Sequence, residues 1–82
     1  MTRAEIFDVV RGNILEVLPD LDPALIEESK SMRDLGANSI DRADILIETM
    51  RQFKLSLKVS DFSGITNIGG LVDFLFAQTS AR

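Results

Sequence analysis

Ser39 is the residue whose sequence setting best suits it for chemistry, because it lies where a long connection ends and an amphipathic segment begins. Gly36, just before it, has no Cβ and can turn the backbone sharply through positive φ. Asn38 is a strong N-cap residue, since its side-chain oxygen can accept from the unpaired amides of a first helical turn. Ser39 is thus predicted to expose its hydroxyl at the positive end of a helix dipole, where an anionic group such as a phosphodiester is favoured.

The chain has no residue that could activate this hydroxyl. It contains neither histidine nor cysteine, which excludes Ser–His and Cys–His catalysis within the chain and zinc sites of the common ligand types. The segment also lacks the glycine on both sides of the serine that a nucleophile elbow requires. We therefore predict no catalytic residue and no metal site, and we expect Ser39 to be the substrate of another enzyme.

The segment Gly36-Ala37-Asn38-Ser39-Ile40 resembles the attachment motif of acyl carrier proteins, usually Gly-x-Asp-Ser-Leu. In that family the serine is esterified with 4′-phosphopantetheine, and the terminal thiol of this arm holds an acyl group as a thioester. The resemblance covers nearly the whole chain. It implies that Ser39 is the attachment residue, that 4′-phosphopantetheine is the cofactor, and that the protein is a non-catalytic carrier.

Two positions of the motif depart from the family pattern, namely Asn38 for aspartate and Ile40 for leucine. Asparagine caps a helix about as well as aspartate, but the lost charge could weaken contacts with the enzyme that installs the arm. With these two residues the motif resembles that of freestanding carriers from polyketide pathways, particularly those that serve β-branching steps. The alternatives are a carrier of fatty acyl or aminoacyl groups, and a carrier-like module that binds proteins without an arm, for which Asn38 is the best support.

Length and periodicity predict one all-α domain over residues 1–82, and the resemblance implies a small acyl-carrier-like four-helix bundle. It would have three main helices, one short helix and a long first loop. The main helices are predicted over residues 3–18, from 39 to 53 or 54, and from about 67. Thr2 and Glu5 have capping-box spacing at the first helix, and Thr66 is the predicted cap of the last.

The connections are predicted to be packed by their own side chains. In residues 19–38 one helical turn is expected after Asp22, and the pinning residues are expected to be Leu21, Leu25, Ile26, Met32 and Leu35. After the second helix an extended segment should turn Leu55, Leu57 and Val59 inward, before a short turn over 60–63 anchored by Phe62. Gly69-Gly70 would reflect a close approach to the second helix or the arm, or tolerated drift, and residues 78–82 are expected to fray.

The second helix has apolar residues for two surfaces. Those expected to face the core are Ile45, Leu46, Thr49, Met50 and Phe53. A second face beside the serine consists of Ile40, Ala43 and Ile47, flanked by Asp41, Asp44 and Glu48 and interrupted by Arg42 and Arg51. The resemblance implies that this face binds a phosphopantetheinyl transferase and a ketosynthase, an acyltransferase or other acyl-processing enzymes. The alternative is ordinary core residues beside an ordinary solvated surface.

Charge and hydropathy narrow the classes of partner. The formal net charge is −4, so nucleic acid and anionic membranes should be repelled and basic protein surfaces attracted. Arg3, Glu5 and Asp8 interrupt any apolar stretch of the kind a signal peptide needs. We therefore expect a cytoplasmic protein, and, because no large surplus apolar face is evident, a monomer.

Overall fold

The computed structural model describes residues 1–80, which form three α-helices joined by two 3₁₀ turns and irregular segments. The helices are α1 (Arg3–Val17), α2 (Ser39–Phe53) and α3 (Ile68–Ser80), and the 3₁₀ turns are Pro23–Leu25 and Val59–Phe62. This part of the chain contains no β-strand. The prediction of an all-α fold with three main helices and a long first loop is confirmed, and the predicted short helix after α2 is the 3₁₀ turn Val59–Phe62. None of the helices within it is long and apolar enough to cross a membrane.

The predicted capping box at the start of α1 is confirmed. The Glu5 amide donates to the Thr2 hydroxyl oxygen at 3.2 Å, and the Thr2 amide donates to Glu5 Oε1 at 2.8 Å. The helix ends at Val17, one residue earlier than expected, and the Leu18 amide still donates to the Ile14 carbonyl at 2.8 Å. Local capping chemistry therefore sets the beginning of this helix.

The core is made from one apolar stripe of each helix and two anchors from the connections. Its fully or nearly fully buried members are Ile6, Val10, Ile14, Ile26, Ile45, Met50, Phe53, Phe62, Ile68, Leu71, Val72 and Leu75. Burial of each large side chain of this kind contributes about 1.5–3 kcal/mol. Phe62 also meets Phe74 edge to face, with ring centroids 5.2 Å apart, which attaches the second 3₁₀ turn to α3.

One buried polar cluster sets the register of α1 against α2. The Asn13 side-chain amide donates to Thr49 Oγ1 at 2.8 Å and to Gln52 Oε1 at 3.0 Å. Thr49 Oγ1 in turn donates to the Ile45 carbonyl at 2.7 Å. Because an unpaired buried polar group costs about 1–3 kcal/mol, only the matching register of the two helices is favourable. The expected inward position of Thr49 is confirmed, whereas the sequence pattern did not indicate Asn13.

The first loop covers the start of α3. The Ile68 amide donates to the Lys30 carbonyl and the Gly69 amide to the Glu28 carbonyl, both at 2.9 Å. A Cβ on Gly69 would lie 3.2 Å from the Glu28 carbonyl oxygen and 3.1 Å from its Cβ. Gly69 therefore marks a close approach to the first loop, and the expectation of an approach to the second helix is wrong for this residue.

Arg3 fastens the same junction from α1. Its guanidinium donates to Glu28 and to Asp73, each at 2.7 Å. Hydrogen bonds to these carboxylates, first that to Glu28, raise the pKa of Arg3. The contacts join α1, the first loop and α3 at one corner of the bundle.

Several predictions of local packing are wrong. Asn67, not Thr66, caps α3, since its Oδ1 accepts the Gly70 amide at 2.7 Å. Leu25 is 51% exposed, because the tight 3₁₀ turn capped by Asp22 directs it outward and only the next residue, Ile26, inward.

The expected inward alternation of residues 55–59 also ends early. Leu55 and Leu57 pack partly against the core, but Val59 is 40% exposed. The Lys58 amide donates to the Asp61 carboxylate at 2.8 Å, which begins the 3₁₀ turn at Val59 and breaks the extended pattern. Fraying from residue 78 is wrong for 78–80, since α3 continues through Ser80; Ala81 and Arg82 lie outside the described residues.

Candidate functional site

Ser39 is the first residue of α2 and is exposed, as the sequence predicted. The turn that precedes it is closed by the amides of Leu35 and Ala37, which both donate to the Met32 carbonyl at 3.1 Å. Gly36 has φ 96°, a conformation that side chains disfavour, so the expected sharp turn at this glycine is confirmed. Ala37 is only 3% exposed and anchors the end of the loop against the domain.

Asn38 caps α2 in a reciprocal arrangement with Asp41. The Asp41 amide donates to Asn38 Oδ1 at 2.8 Å, and the Asn38 amide donates to Asp41 Oδ2 at 3.2 Å. The predicted N-cap is confirmed, and the substitution of the family's aspartate leaves the cap intact. The sequence analysis did not predict the hydrogen bond from the Asn38 amide to the Asp41 carboxylate, although the Asn-x-x-Asp spacing resembles a capping box and could have indicated it.

The Ser39 side chain forms no hydrogen bond with any other group in residues 1–80. An unbonded, exposed hydroxyl is accessible to a modifying enzyme. Its place in the first turn puts it at the positive end of the helix dipole. These features fit a group attached through a phosphodiester.

An open groove of about 650 Å³ runs beside Ser39, between α2, the second 3₁₀ turn and the start of α3. Leu46, Phe62 and Leu71 contribute to its apolar floor. Arg33 and Arg42 also line it, and no aspartate or glutamate does. In a chain with a net charge of −4, this is a locally cationic surface next to the serine. The sequence pattern did not bring these two arginines together, because they lie in different elements.

The residues predicted to bind partners are divided between two surfaces. Ile40 is 72% and Ile47 52% exposed, and Asp44 beside them is exposed as well. Ala43 is half-buried and lines the groove instead, together with Ser39. The predicted apolar face of α2 is thus centred on the two isoleucines.

The acidic residues of this face differ in their partners. The Glu48 carboxylate accepts from Arg51 at 2.6 and 3.0 Å, and this pairing lowers the pKa of Glu48. Asp41 is engaged in the helix cap. Asp44 forms no ion pair with any residue in the described part of the chain, so its charge is the least compensated of the three.

Comparison with known proteins shows which family the chain resembles over most of its length. A family model described as "Phosphopantetheine attachment site" matches residues 8–75. The polyketide biosynthesis acyl-carrier-protein AcpK of Bacillus subtilis (strain 168) is 38% identical over 81 residues, covering 99% of both chains. An acyl carrier protein of Thermotoga maritima is 31% identical over 74 residues, covering 90% of this chain and 91% of the relative.

A solved structure shows the same fold. It is a chain from the crystal structure of the curacin biosynthetic pathway HMG synthase in complex with its acetyl donor acyl carrier protein. The superposition has a TM-score of 0.83 at 29% identity and covers 95% of this chain and 99% of the other. Taken with the family match over residues 8–75, these likenesses show that the chain belongs to the acyl carrier protein family, whose prosthetic group is 4′-phosphopantetheine.

Proposed function

We propose that Ser39 is the residue that carries 4′-phosphopantetheine and that the protein presents acyl groups to the enzymes of a polyketide pathway. The observation that carries the proposal is the exposed, unbonded hydroxyl of Ser39 at the start of α2, within the residues matched by the family model. The polyketide setting is supported by the Bacillus subtilis relative, which aligns over 99% of the chain.

The prosthetic group supplies a thiol that holds the acyl group as a thioester, and the protein supplies an anchor and a docking surface. Gly36 and the Asn38–Asp41 cap fix the position of Ser39 on a rigid helix. A tethered acyl group is thereby held at high effective concentration near the active site of a docked enzyme. No catalytic role is assigned to the chain itself.

The proposed partner surface is the α2 face around the two isoleucines. It consists of Ile40, Asp41, Ala43, Asp44, Ile47 and Glu48, with Ala43 at the boundary to the groove. Proposed partners are a phosphopantetheinyl transferase, and a ketosynthase, an acyltransferase or other acyl-processing enzymes. The relative seen in complex with an HMG synthase supports an enzyme of that type within this set. The proposal includes a monomeric state and a cytoplasmic location, which size-exclusion chromatography and cell fractionation would check.

Intact-mass measurement tests the attachment residue directly. Incubation with coenzyme A and a broad-specificity phosphopantetheinyl transferase should add the mass of one phosphopantetheine to the wild-type protein. Ser39→Ala should fold, with its stability changed by less than about 0.5 kcal/mol, and should gain no mass. Ser63→Ala, which removes another exposed serine of the same groove, is the matched control and should be modified like the wild type.

A wild-type protein that folds but gains no mass would contradict the proposal and favour the protein-binding module without an arm. Modification of Ser39→Ala would place the attachment at another residue. Unfolding of Ser39→Ala would make the serine a structural residue. The acyl cargo is a separate question, and loading assays with polyketide, fatty acyl and aminoacyl enzymes would distinguish the alternatives.

A further inference from the structure

Two cationic side chains line the groove beside Ser39, in a chain whose overall charge is negative. Arg33 comes from the turn that ends the first loop, and Arg42 follows Ser39 by three residues on α2. Residues three apart lie on the same side of a helix, so the Arg42 side chain starts on the side of α2 that bears Ser39. No aspartate or glutamate is among the residues that line the groove, although the charge of Arg33 also attracts the neighbouring Asp34 carboxylate.

Arg42 is held near the serine but retains unused hydrogen-bonding capacity. One terminal guanidinium nitrogen donates to the Ala37 carbonyl at 3.4 Å, a long contact made within a half-buried side chain. A guanidinium has five N–H donors arranged for bidentate contact with phosphate oxygens. This contact holds the side chain at the rim of the groove and leaves most of its donors available.

The nearest carboxylates in sequence are engaged by their own backbone turns. Asp34 accepts from the Ser31 amide at 3.1 Å, and Asp41 accepts from the Asn38 amide at 3.2 Å. Neither Arg33 nor Arg42 forms an ion pair within residues 1–80. An anion attached at Ser39 would therefore meet two arginines without an acidic competitor among the residues lining the groove.

We propose that Arg42, with Arg33 in support, binds the phosphodiester on Ser39 and positions the root of the arm along the groove. This inference rests on the proposed attachment at Ser39. The charge-assisted contact is worth more than a neutral hydrogen bond, and it directs the arm toward α3. The Ile40–Ile47 face of α2 is then left free for a docked partner.

Phosphorus and nitrogen NMR of the protein with and without the arm test this role without any enzymatic readout. In the wild-type protein the Arg42 Nε–Hε resonance should shift when the arm is attached, and that of Arg51 should not. The phosphodiester ³¹P resonance should also move on going from low to high salt, because salt screens an exposed ion pair. In Arg42→Gln the low-salt ³¹P position should already resemble the high-salt wild-type position, whereas Arg51→Gln, the matched control, should behave like wild type.

The outcomes separate this inference from the attachment itself. If intact mass shows the arm on Ser39 but the Arg42 Nε–Hε resonance and the salt response of ³¹P are unaffected, the positioning role is refuted and the attachment stands. If no arm is gained, the attachment is refuted first. If Arg42→Gln does not fold or is not modified, the comparison of the wild-type Arg42 resonance with and without the arm still decides the question.

Discussion

Helices α2 and α3 both begin after an asparagine whose side-chain oxygen accepts the amide three residues further on. Asn38 accepts from Asp41 at 2.8 Å, and Asn67 accepts from Gly70 at 2.7 Å. At α3 the first loop then covers the helix start, with backbone hydrogen bonds that reach Ile68 and Gly69. At α2 the loop turns away after the buried Ala37, and Ser39 and its neighbour Ile40 stay exposed.

The difference between these two helix starts teaches how one kind of end can serve either structure or function. A helix start covered by chain has its free amides satisfied and its dipole compensated, so it joins elements of the fold. A helix start capped only by its own side chains leaves amides and a positive potential facing solvent. An anionic group attached at Ser39 would be stabilised by the positive potential of such an uncovered helix start.

The strongest way to break the comparison is to push the loop away from α3. Gly69→Val places a branched side chain where even a Cβ would lie 3.1–3.2 Å from Glu28 atoms. Overpacking of this kind should lower the free energy of unfolding by about 1–3 kcal/mol, measured by urea denaturation.

Gly12→Val is the matched control, because a Cβ at this helical position meets no atom within 4 Å apart from its chain neighbours and the backbone of its own helix. Its stability should be unchanged or slightly increased, since glycine is a poor helix former. Equal stability of Gly69→Val and wild type would mean that the loop does not press on the start of α3.

The caps themselves should have smaller and similar effects at the two helices. Asn38→Ala and Asn67→Ala should each lower the free energy of unfolding by about 1 kcal/mol, because each leaves a first-turn amide without its side-chain acceptor. Asn38→Asp should remain within about 0.5 kcal/mol of wild type, since both side chains cap well. A loss from Asn38→Asp as large as that from Asn38→Ala would contradict this account of the cap.

Features that depend on neighbours in sequence were predictable. The Thr2–Glu5 box, the beginning of α2 at Ser39 and the sharp turn at Gly36 all follow from local capping and backbone preferences. The exposure of Ile40 and Ile47 agrees with the predicted second face of α2. The attachment role of Ser39 and the partner role of that face stay predictions.

Features that depend on the path of the first loop were not predictable in the same way. Gly69 was noticed as unusual, but its neighbour Glu28 lies far away in sequence and only the folded loop brings them together. The same holds for the Asn13–Thr49 bond and for the groove that joins Arg33 and Arg42. In the 3₁₀ turns a different number of residues per turn also displaced Leu25 and Val59 from their expected inward positions.

The smallest expected effect concerns pH and the turn that leads to Ser39. The Asp34 carboxylate accepts a hydrogen bond from the Ser31 amide, and this bond, more than the one with the Ser31 side chain, lowers the pKa of Asp34 below the ordinary aspartate value of about 4. Because the folded pKa lies below the unfolded one, the stabilisation is complete above the unfolded pKa and is lost as the pH falls through the folded pKa. Asp34→Asn should therefore make unfolding free energy less dependent on pH below about 4.

The pH dependence of amide exchange should differ between the turn before α2 and the start of α3. Asn67 and the loop carbonyls that cap α3 carry no titratable proton, and the Glu28 and Asp73 carboxylates beside them bind Arg3, not an amide of this helix start. Amide exchange at Gly69 and Gly70 should therefore depend less on pH than exchange at Ser31. Acidification should loosen the Ser31 amide, which Asp34 holds, earlier than these two amides. Simultaneous loss of protection from amide exchange at Ser31, Gly69 and Gly70 would show that the turn before Ser39 and the start of α3 open as one unit. In that case the open and the covered helix start would differ in structure but not in dynamics.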